Sequence, residues 1–584
     1  MKKTTITLLI AGLLSVTGIT AQTLQEGVNA LNGERYGTAK ATFEKLLATN
    51  PNNIDAIYWL GQTYFNLDDN ASARQLYDKA LASNGNAPLI LVGEGHADLL
   101  DNKTADARQR FEAALVASRN KKGDDPSVEY AIGRANVDAK AGDFKYAIDK
   151  LTDAATKDPK NPEIYVQLGN AYRKADPGNG GNQAYTNYNK ALEVDPNYAY
   201  ASVRLAKLFE TQRNWELVTK YLNDAVAKDP KFSLAYYELY WYYFGKLDFT
   251  QAEAELNNFI NSKLPETDIR DQYLYGQLCW AHKDYDCAIS KATAVLNATG
   301  EHTKPKVYKL LAYAYSDKGD YVNAQKYVNL YFGKEKPEAV IALDYKLKAD
   351  ILAKTGGTPD DVYYTYVRGA ALDTTLTGKI DFMKKGADAL KTMADSVSRN
   401  REGDLRLEVL KMKPNPGQRD YFDAGFAYYQ GKNYSRSDSL FTVYSQKWPD
   451  ETFGWQWKFN IQRALDSTMA KGLAVPAATK YLEVLQKDTA KNKNAIMSTA
   501  GYLAQYYANV AKDKEKAIQY LEQMLALDPT NDALKKNLEI LKKPTPTKQA
   551  TQPKGNSTQK GTSSKPVSKV PAKKKDNSAL AMRQ

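Results

Sequence analysis

Cysteine and histidine are nearly missing from this chain, with two of the first and three of the second among 584 residues. Two cysteines exclude a disulfide-rich scaffold. His96, His282 and His302 stand far apart and outside any cysteine or serine motif, which leaves little material for a transition-metal site or a nucleophile–base pair. Neither metal, cofactor nor catalytic residue is expected. The paired carboxylates Asp68-Asp69 and Asp124-Asp125 fall in turns, where solvated caps are the ordinary explanation. Long apolar runs are lacking too. After the leader no stretch of about eighteen apolar residues occurs, so the mature chain is expected to have no transmembrane segment.

A large net charge on the body is also absent. The formal net charge is +12, but from Pro544 onward eight lysines and one arginine face one aspartate. Lys2 and Lys3 carry two more positive charges, so little remains for the rest. The basic character belongs to the tail and implies no nucleic-acid surface on the fold. The glycine-rich stretch Asp176-Pro177-Gly178-Asn179-Gly180-Gly181-Asn182 has no Gly-Lys-Ser/Thr after it and no strand before it. It reads as a widened turn, not a phosphate loop.

What is present starts with a processing signal. Lys2 and Lys3 precede an apolar stretch from Ile6 to Ile19, and Ile19-Thr20-Ala21 resembles a peptidase site. Residues 1–21 are expected to be removed during export, which places the protein in the periplasm or at the outer envelope. Tyrosine is abundant, 41 against 16 phenylalanines, and suits half-buried positions in a thin structure.

The body repeats. A small residue followed by an aromatic or leucine recurs as Ala39-Phe43, Ala73-Tyr77, Ala107-Phe111, Ala147-Leu151, Ala184-Tyr188 and onward to Ala324-Val328. Steps between these anchors run from 34 to 40 residues. About twelve residues before many anchors stands another small residue, as with Gly27, Gly61, Gly95, Ala206 and Gly276. Junctions such as Asp195-Pro196-Asn197 and Asp229-Pro230 open new units, since proline cannot extend the preceding helix. This pattern resembles the tetratricopeptide repeat from about Leu24 to Lys543, most clearly at Tyr58-Trp59-Leu60-Gly61-Gln62-Thr63-Tyr64 with Ala73, Tyr77 and Ala80.

The resemblance implies an all-α fold, a right-handed superhelical solenoid of about a dozen helix-turn-helix repeats. The expected domains are a repeat array over 22–336, degenerate helical repeats over 337–416, and further repeats with a capping helix over 417–543. A disordered Lys/Pro/Ser/Thr-rich tail over 544–584 follows, too poor in apolar residues to offset the entropy of ordering. The resemblance further implies a non-enzymatic scaffold that binds partner proteins or peptides in a concave groove lined by the first helix of each repeat. The residue after each small crossing position then points into the groove, which selects Gln62, His96, Asn136, Asn170, Lys207 and Trp241. Arg173 and Arg204 lie nearby as candidates to receive a carboxylate.

Cys279 and Cys287 face each other across the Lys283-Asp284-Tyr285 turn of one hairpin, and an exported protein permits a disulfide there. The aromatic run Tyr236, Tyr237, Tyr240, Trp241, Tyr242, Tyr243, Phe244 goes all round a helix. With the basic tail it supports an alternative function, an envelope module that binds cell wall or glycan, the tail meeting polyanions such as wall polymers or lipid headgroups. Tripeptides such as Asp395-Ser396-Val397 and Asp438-Ser439-Leu440 resemble the O-glycosylation motif of exported Bacteroidota proteins.

Overall fold

A computed structural model describes residues 24–543. The expected leader and the expected disordered tail lie outside the described residues. Within them the chain is helical and carries no β-strand. Contacts divide it into two compact units, one ending at Pro414 and one beginning at Asn415. Each, taken by itself, is a stack of helical hairpins of the tetratricopeptide type.

In the first unit, hairpin one pairs residues 24–32 with Tyr36–Thr49, hairpin two Ile54–Asn66 with Asn70–Asn84, and hairpin three Pro88–Leu100 with Thr104–Ser118. Hairpins four and five follow as Pro126–Asp138 with Phe144–Lys157 and Pro162–Ala175 with Gly181–Val194. Hairpins six and seven are Ala199–Thr211 with Trp215–Lys228 and Ser233–Gly245 with Phe249–Lys263. Hairpins eight and nine are Gln272–Ala281 with Tyr285–Thr299 and Pro305–Lys318 with Tyr321–Lys334. The span expected to be degenerate holds two further hairpins, Ala342–Lys354 with Pro359–Leu372 and Leu376–Met393 with Ser396–Met412. The second unit comprises Gln418–Gln430 with Tyr434–Lys447, Thr452–Leu465 with Val475–Leu485, and Thr489–Asn509 with Lys514–Leu527. A last helix, Asp532–Lys542, lays Leu534, Leu538 and Leu541 against Leu521.

The hairpins recur because the same local chemistry recurs. Glu34, Asp68 and Asn102 take the left-handed backbone conformation at the same point of successive turns, φ 60°, 61° and 62°. An Asp or Asn then caps the second helix: Asp69 accepts the Ser72 N–H at 3.1 Å and Asp248 that of Gln251 at 3.2 Å. Prolines 88, 126, 162 and 305 occupy the first turn of a first helix, where no N–H is needed.

The two helices of a hairpin meet at the small residues. A Cβ at Gly61 would lie 2.1 Å from the Tyr77 ring, and one at Gly95 would lie 2.4 Å from Phe111. Tyr77 also meets the next hairpin, since a Cβ at Gly93 would lie 2.5 Å from it. One aromatic ring therefore fills the notch over its own hairpin's glycine and locks the following hairpin in place. The largest buried side chains include Tyr58, Tyr77, Tyr188, Tyr331 and Tyr366, deeper than the half-buried positions tyrosine was expected to take. Internal acceptors make this possible: Tyr77 donates to the Tyr58 carbonyl at 2.8 Å and Tyr331 to Asp344 at 2.6 Å.

In the first unit the stack closes on itself. Glu266, just past hairpin seven, caps the second helix of hairpin one, accepting from the Gly37 and Thr38 N–H groups at 2.8 and 2.9 Å. Ser233 Oγ donates to the Gly33 carbonyl. Asn32 reaches Glu163 at 2.6 Å, and Lys304 pairs with Asp68 at 2.6 Å. A carboxylate at a helix N-terminus meets unpaired N–H groups and the positive end of the dipole. Gly37 leaves room for it, since a Cβ there would lie 2.8 Å from the Glu266 carboxyl carbon.

Candidate functional site

Closure turns the expected open groove into an interior with two cavities. The first, a chamber of about 410 Å³, is lined from the first helices and turns of hairpins one to seven, among them Glu34, Asp68, His96, Arg134, Gln167, Arg204, Lys207 and Glu238. The second, about 470 Å³, opens where hairpins four to seven are joined, and is lined by Trp59, Tyr130, Asp158, Glu163, Asp195, Tyr198, Asp229 and Phe232. Asn32 and Tyr200 belong to both walls.

The chamber is densely charged. Arg134 is only 5% exposed. It stacks over Trp59 at 4.6 Å and donates to Asp138 at 3.2 Å. Burial works against its charge, but Tyr130 and Asp138 outweigh this and raise its affinity for the proton. Lys207 pairs with Glu238 at 3.0 Å and Glu210 at 2.8 Å. Glu34 is reached by solvent, yet the crowding around it and then Glu238 raise its carboxyl above the usual range. Glu238 is raised by burial, against the pull of Lys207.

His96 is 3% exposed and its ring lies 4.8 Å from that of Phe65. Burial pushes its pKa down to about 4, so the ring is neutral at physiological pH. Its tautomer follows from its neighbours. Tyr77 spends its proton on the Tyr58 carbonyl and accepts from Gln62 Nε2 at 3.1 Å. That turns Gln62 Oε1 to His96 Nδ1 at 2.9 Å, so Nδ1 carries the hydrogen and Nε2 is left an acceptor.

The residues selected from sequence divide into two groups. His96, Arg204 and Lys207 line the chamber. Gln62, Asn136 and Asn170 do not face a groove: they are 1%, 2% and 5% exposed and their amides are spent on buried neighbours, Gln62 reaching His96 of the next hairpin. Gln62 and Asn170 bond the tyrosine hydroxyls of Tyr77 and Tyr188. Asn136 accepts the Asp143 N–H at 2.9 Å and donates to the Ile132 carbonyl. For Gln62 and Asn170 the physical reason is the tyrosine itself, whose buried hydroxyl draws the neighbouring amide inward. In hairpin four the crossing residue is also displaced from the expected Ala135: a Cβ on Gly133 would lie 2.4 Å from Leu151, so the residue that follows it and faces the chamber is Arg134, not Asn136. Arg173 is half-buried, with no ion pair or hydrogen bond among the described residues. Trp241 lines a third cavity of about 300 Å³ with Trp215, Tyr242 and Lys246, and Lys207 and Glu238 belong to its wall as well as to that of the chamber.

The second cavity went unnoticed in the sequence. Its carboxylates Asp158, Asp195 and Asp229 are the acids of the Asp-Pro junctions, which read as punctuation. None of them, nor Glu163, makes an ion pair, and the cavity lining includes no lysine or arginine. Glu163 accepts hydrogen bonds from Tyr130 at 2.5 Å and Asn32 at 2.6 Å.

Elsewhere, Cys279 and Cys287 are joined in a disulfide, Cα atoms 5.6 Å apart. Of the seven aromatics between Tyr236 and Phe244, Tyr240 is buried and the other six are partly buried, packed against the neighbouring hairpins. Among the described residues no helix is long and apolar enough to cross a membrane, and no group of three or more His, Cys, Asp or Glu is arranged to hold a metal.

A family model for the tetratricopeptide repeat matches residues 30–92, in support of the resemblance drawn from the repeat spacing. No curated protein matches the sequence. Among solved structures the chain is similar to the C-terminal part of a tetratricopeptide repeat-containing protein of Cytophaga hutchinsonii, at 25% identity over 46% of this chain and 99% of that one, TM-score 0.28. It is similar to a tetratricopeptide repeat protein of Parabacteroides merdae at 17% identity, over 45% of this chain and 98% of that one, TM-score 0.36. It is also similar to a chain of the APC/C Cut9–Hcn1 hetero-tetramer at 16% identity, over 92% of this chain and 99% of that one, TM-score 0.32.

Proposed function

We propose that this chain is a non-enzymatic scaffold of the cell envelope that holds a partner protein by a basic segment seated in the cavity between hairpin one and the junctions of hairpins four to seven. The observation that carries this reading is the composition of that cavity: four carboxylates without an ion pair, over aromatic walls, with no basic residue among its lining. A lysine or arginine side chain satisfies both parts, its charge meeting the aspartates and its stem or guanidinium lying on Trp59, Tyr198 or Phe232. The acids come from three successive junctions, Asp158, Asp195 and Asp229, so an extended segment can place basic residues along the row. The envelope location is part of the proposal and rests on the leader formed by Lys2, Lys3 and the apolar stretch to Ile19.

The test is cross-linking in the native envelope, comparing the wild type with a variant carrying Asp158→Asn, Asp195→Asn and Asp229→Asn. Asparagine retains the oxygen that accepts the Asn197 and Lys231 N–H groups in two of these turns, so the fold is expected to survive. The partner bands should disappear, and in the wild type they should weaken as salt is raised. Partners retained unchanged by the triple variant would overturn the reading.

A further inference from the structure

The chamber presents two opposite charges that the protein leaves without an ionic partner. Arg204 lines it, contacts no carboxylate, and has a buried Nε with no hydrogen-bond partner. Glu34 lines it from the turn of hairpin one and pairs with no cation. The other charges of the wall are spent: Arg134 on Asp138, Lys207 on Glu238 and Glu210, and Asp68 on Lys304.

His96 supplies an independent sign. It lies almost wholly inside the wall, and its Nε2 has no partner. The chain of donors through Tyr77 and Gln62 makes that nitrogen an acceptor. A group that satisfies it must donate a hydrogen. The wall thus asks for a donor at His96 and Glu34 and for an anionic acceptor at Arg204.

We infer that the chamber of the first unit binds a small zwitterion, a free amino acid or dipeptide, with its ammonium directed to Glu34 and His96 and its carboxylate to Arg204. A volume of about 410 Å³ suits a ligand of that size, at the lower end of ordinary small-molecule sites. The site is separate from the acidic cavity proposed for the partner, although Asn32 and Tyr200 form part of both walls. The ligand would join hairpins one, three and six, and so hold the closed turn shut.

The experiment is titration calorimetry on the full chain with alanine and alanyl-alanine, and with the N-acetylated and C-amidated dipeptides. Either blocked dipeptide is expected to bind at least about tenfold more weakly than the free one, the loss of one charge-assisted hydrogen bond. Arg204→Gln should bring the free dipeptide down to the level of the amidated one, and Glu34→Gln should bring it to that of the acetylated one. Glu34 is solvent-accessible, so its variant keeps the test decisive if Arg204→Gln does not fold. Thermal unfolding should shift upward with alanyl-alanine in the wild type only. Absence of binding by both alanine and alanyl-alanine, or equal binding of free and blocked dipeptides, would overturn the proposal.

Discussion

The first seven hairpins and the second unit use the same repeat to build opposite interiors. Between residues 24 and 263 the first helices carry Arg134, Arg204, Lys207, His96 and Glu238 toward a chamber. In the second unit, first helices carry Phe422, Phe426 and Tyr429, which stack against one another and around Trp457 at 4.9 to 6.4 Å between ring centroids. The notch between paired helices is nonetheless filled alike, Phe441 over Gly425 as Phe111 over Gly95. Repeat identity therefore resides in the contact between the helices of a hairpin, while the face turned away from that contact is free to become ionic or aromatic.

Acid should break the comparison most sharply. His96 has a folded pKa near 4 against about 6.5 when unfolded, so the unfolded chain takes its proton first and stability falls from about pH 6.5 down to about pH 4, by about 3 kcal/mol in all. Above pH 6.5 the residue contributes no pH dependence. The raised carboxyls of Glu34 and Glu238 act in the opposite sense at acid pH, so the contribution of His96 is read as the difference between wild type and His96→Gln. Amide exchange across hairpins two to four should show an acid-sensitive loss of protection that the variant lacks. The second unit contains no histidine and should show no such difference.

Substitution at the crossing glycines should sharpen what the regions share. Gly61→Ala sets a methyl 2.1 Å from the Tyr77 ring, against 2.7 Å from Phe441 for Gly425→Ala. Both overpack, the first by about 2–3 kcal/mol and the second by about 1 kcal/mol, measurable as the shift in denaturation midpoint. The smallest effect concerns closure, which only the first unit shows. Glu266→Gln removes the charge from the cap on Tyr36–Thr49 and should cost about 1 kcal/mol. Amide exchange should quicken at Gly37 and Thr38 and leave the second unit untouched.

The contact inside a hairpin was legible in the sequence because it is local: Gly61 and Tyr77, or Gly95 and Phe111, lie sixteen residues apart. The direction of the inner side chains was only partly so. His96 and Lys207 were placed on the chamber by counting from the crossing residue. The same count failed at Asn136, where a longer turn shifts the crossing to Gly133, and at Gln62 and Asn170, where a buried tyrosine hydroxyl claims the amide. A tyrosine rather than phenylalanine at positions 77 and 188 is the signal that distinguishes these cases. Closure left no local trace. It depends on the small rotation from each hairpin to the next summed over seven of them, and the acids of the Asp-Pro junctions become a row only once that sum is complete.

The Glu266 cap has a consequence for how the molecule is made. Gly37 and its carboxylate partner are separated by 229 positions, among the most distant contacts in the chain and therefore among the slowest to form. A chain emerging from its N-terminus exposes the two N–H groups of Gly37 and Thr38 throughout the synthesis of six further hairpins. Until residue 266 arrives, the Ser233–Gly33 and Asn32–Glu163 contacts hold hairpin one to the later hairpins while the N-terminus of Tyr36–Thr49 stays uncapped. A fragment ending before Pro265 should accordingly keep its hairpins and the Ser233–Gly33 contact, and show faster amide exchange at Gly37 and Thr38 for want of the cap.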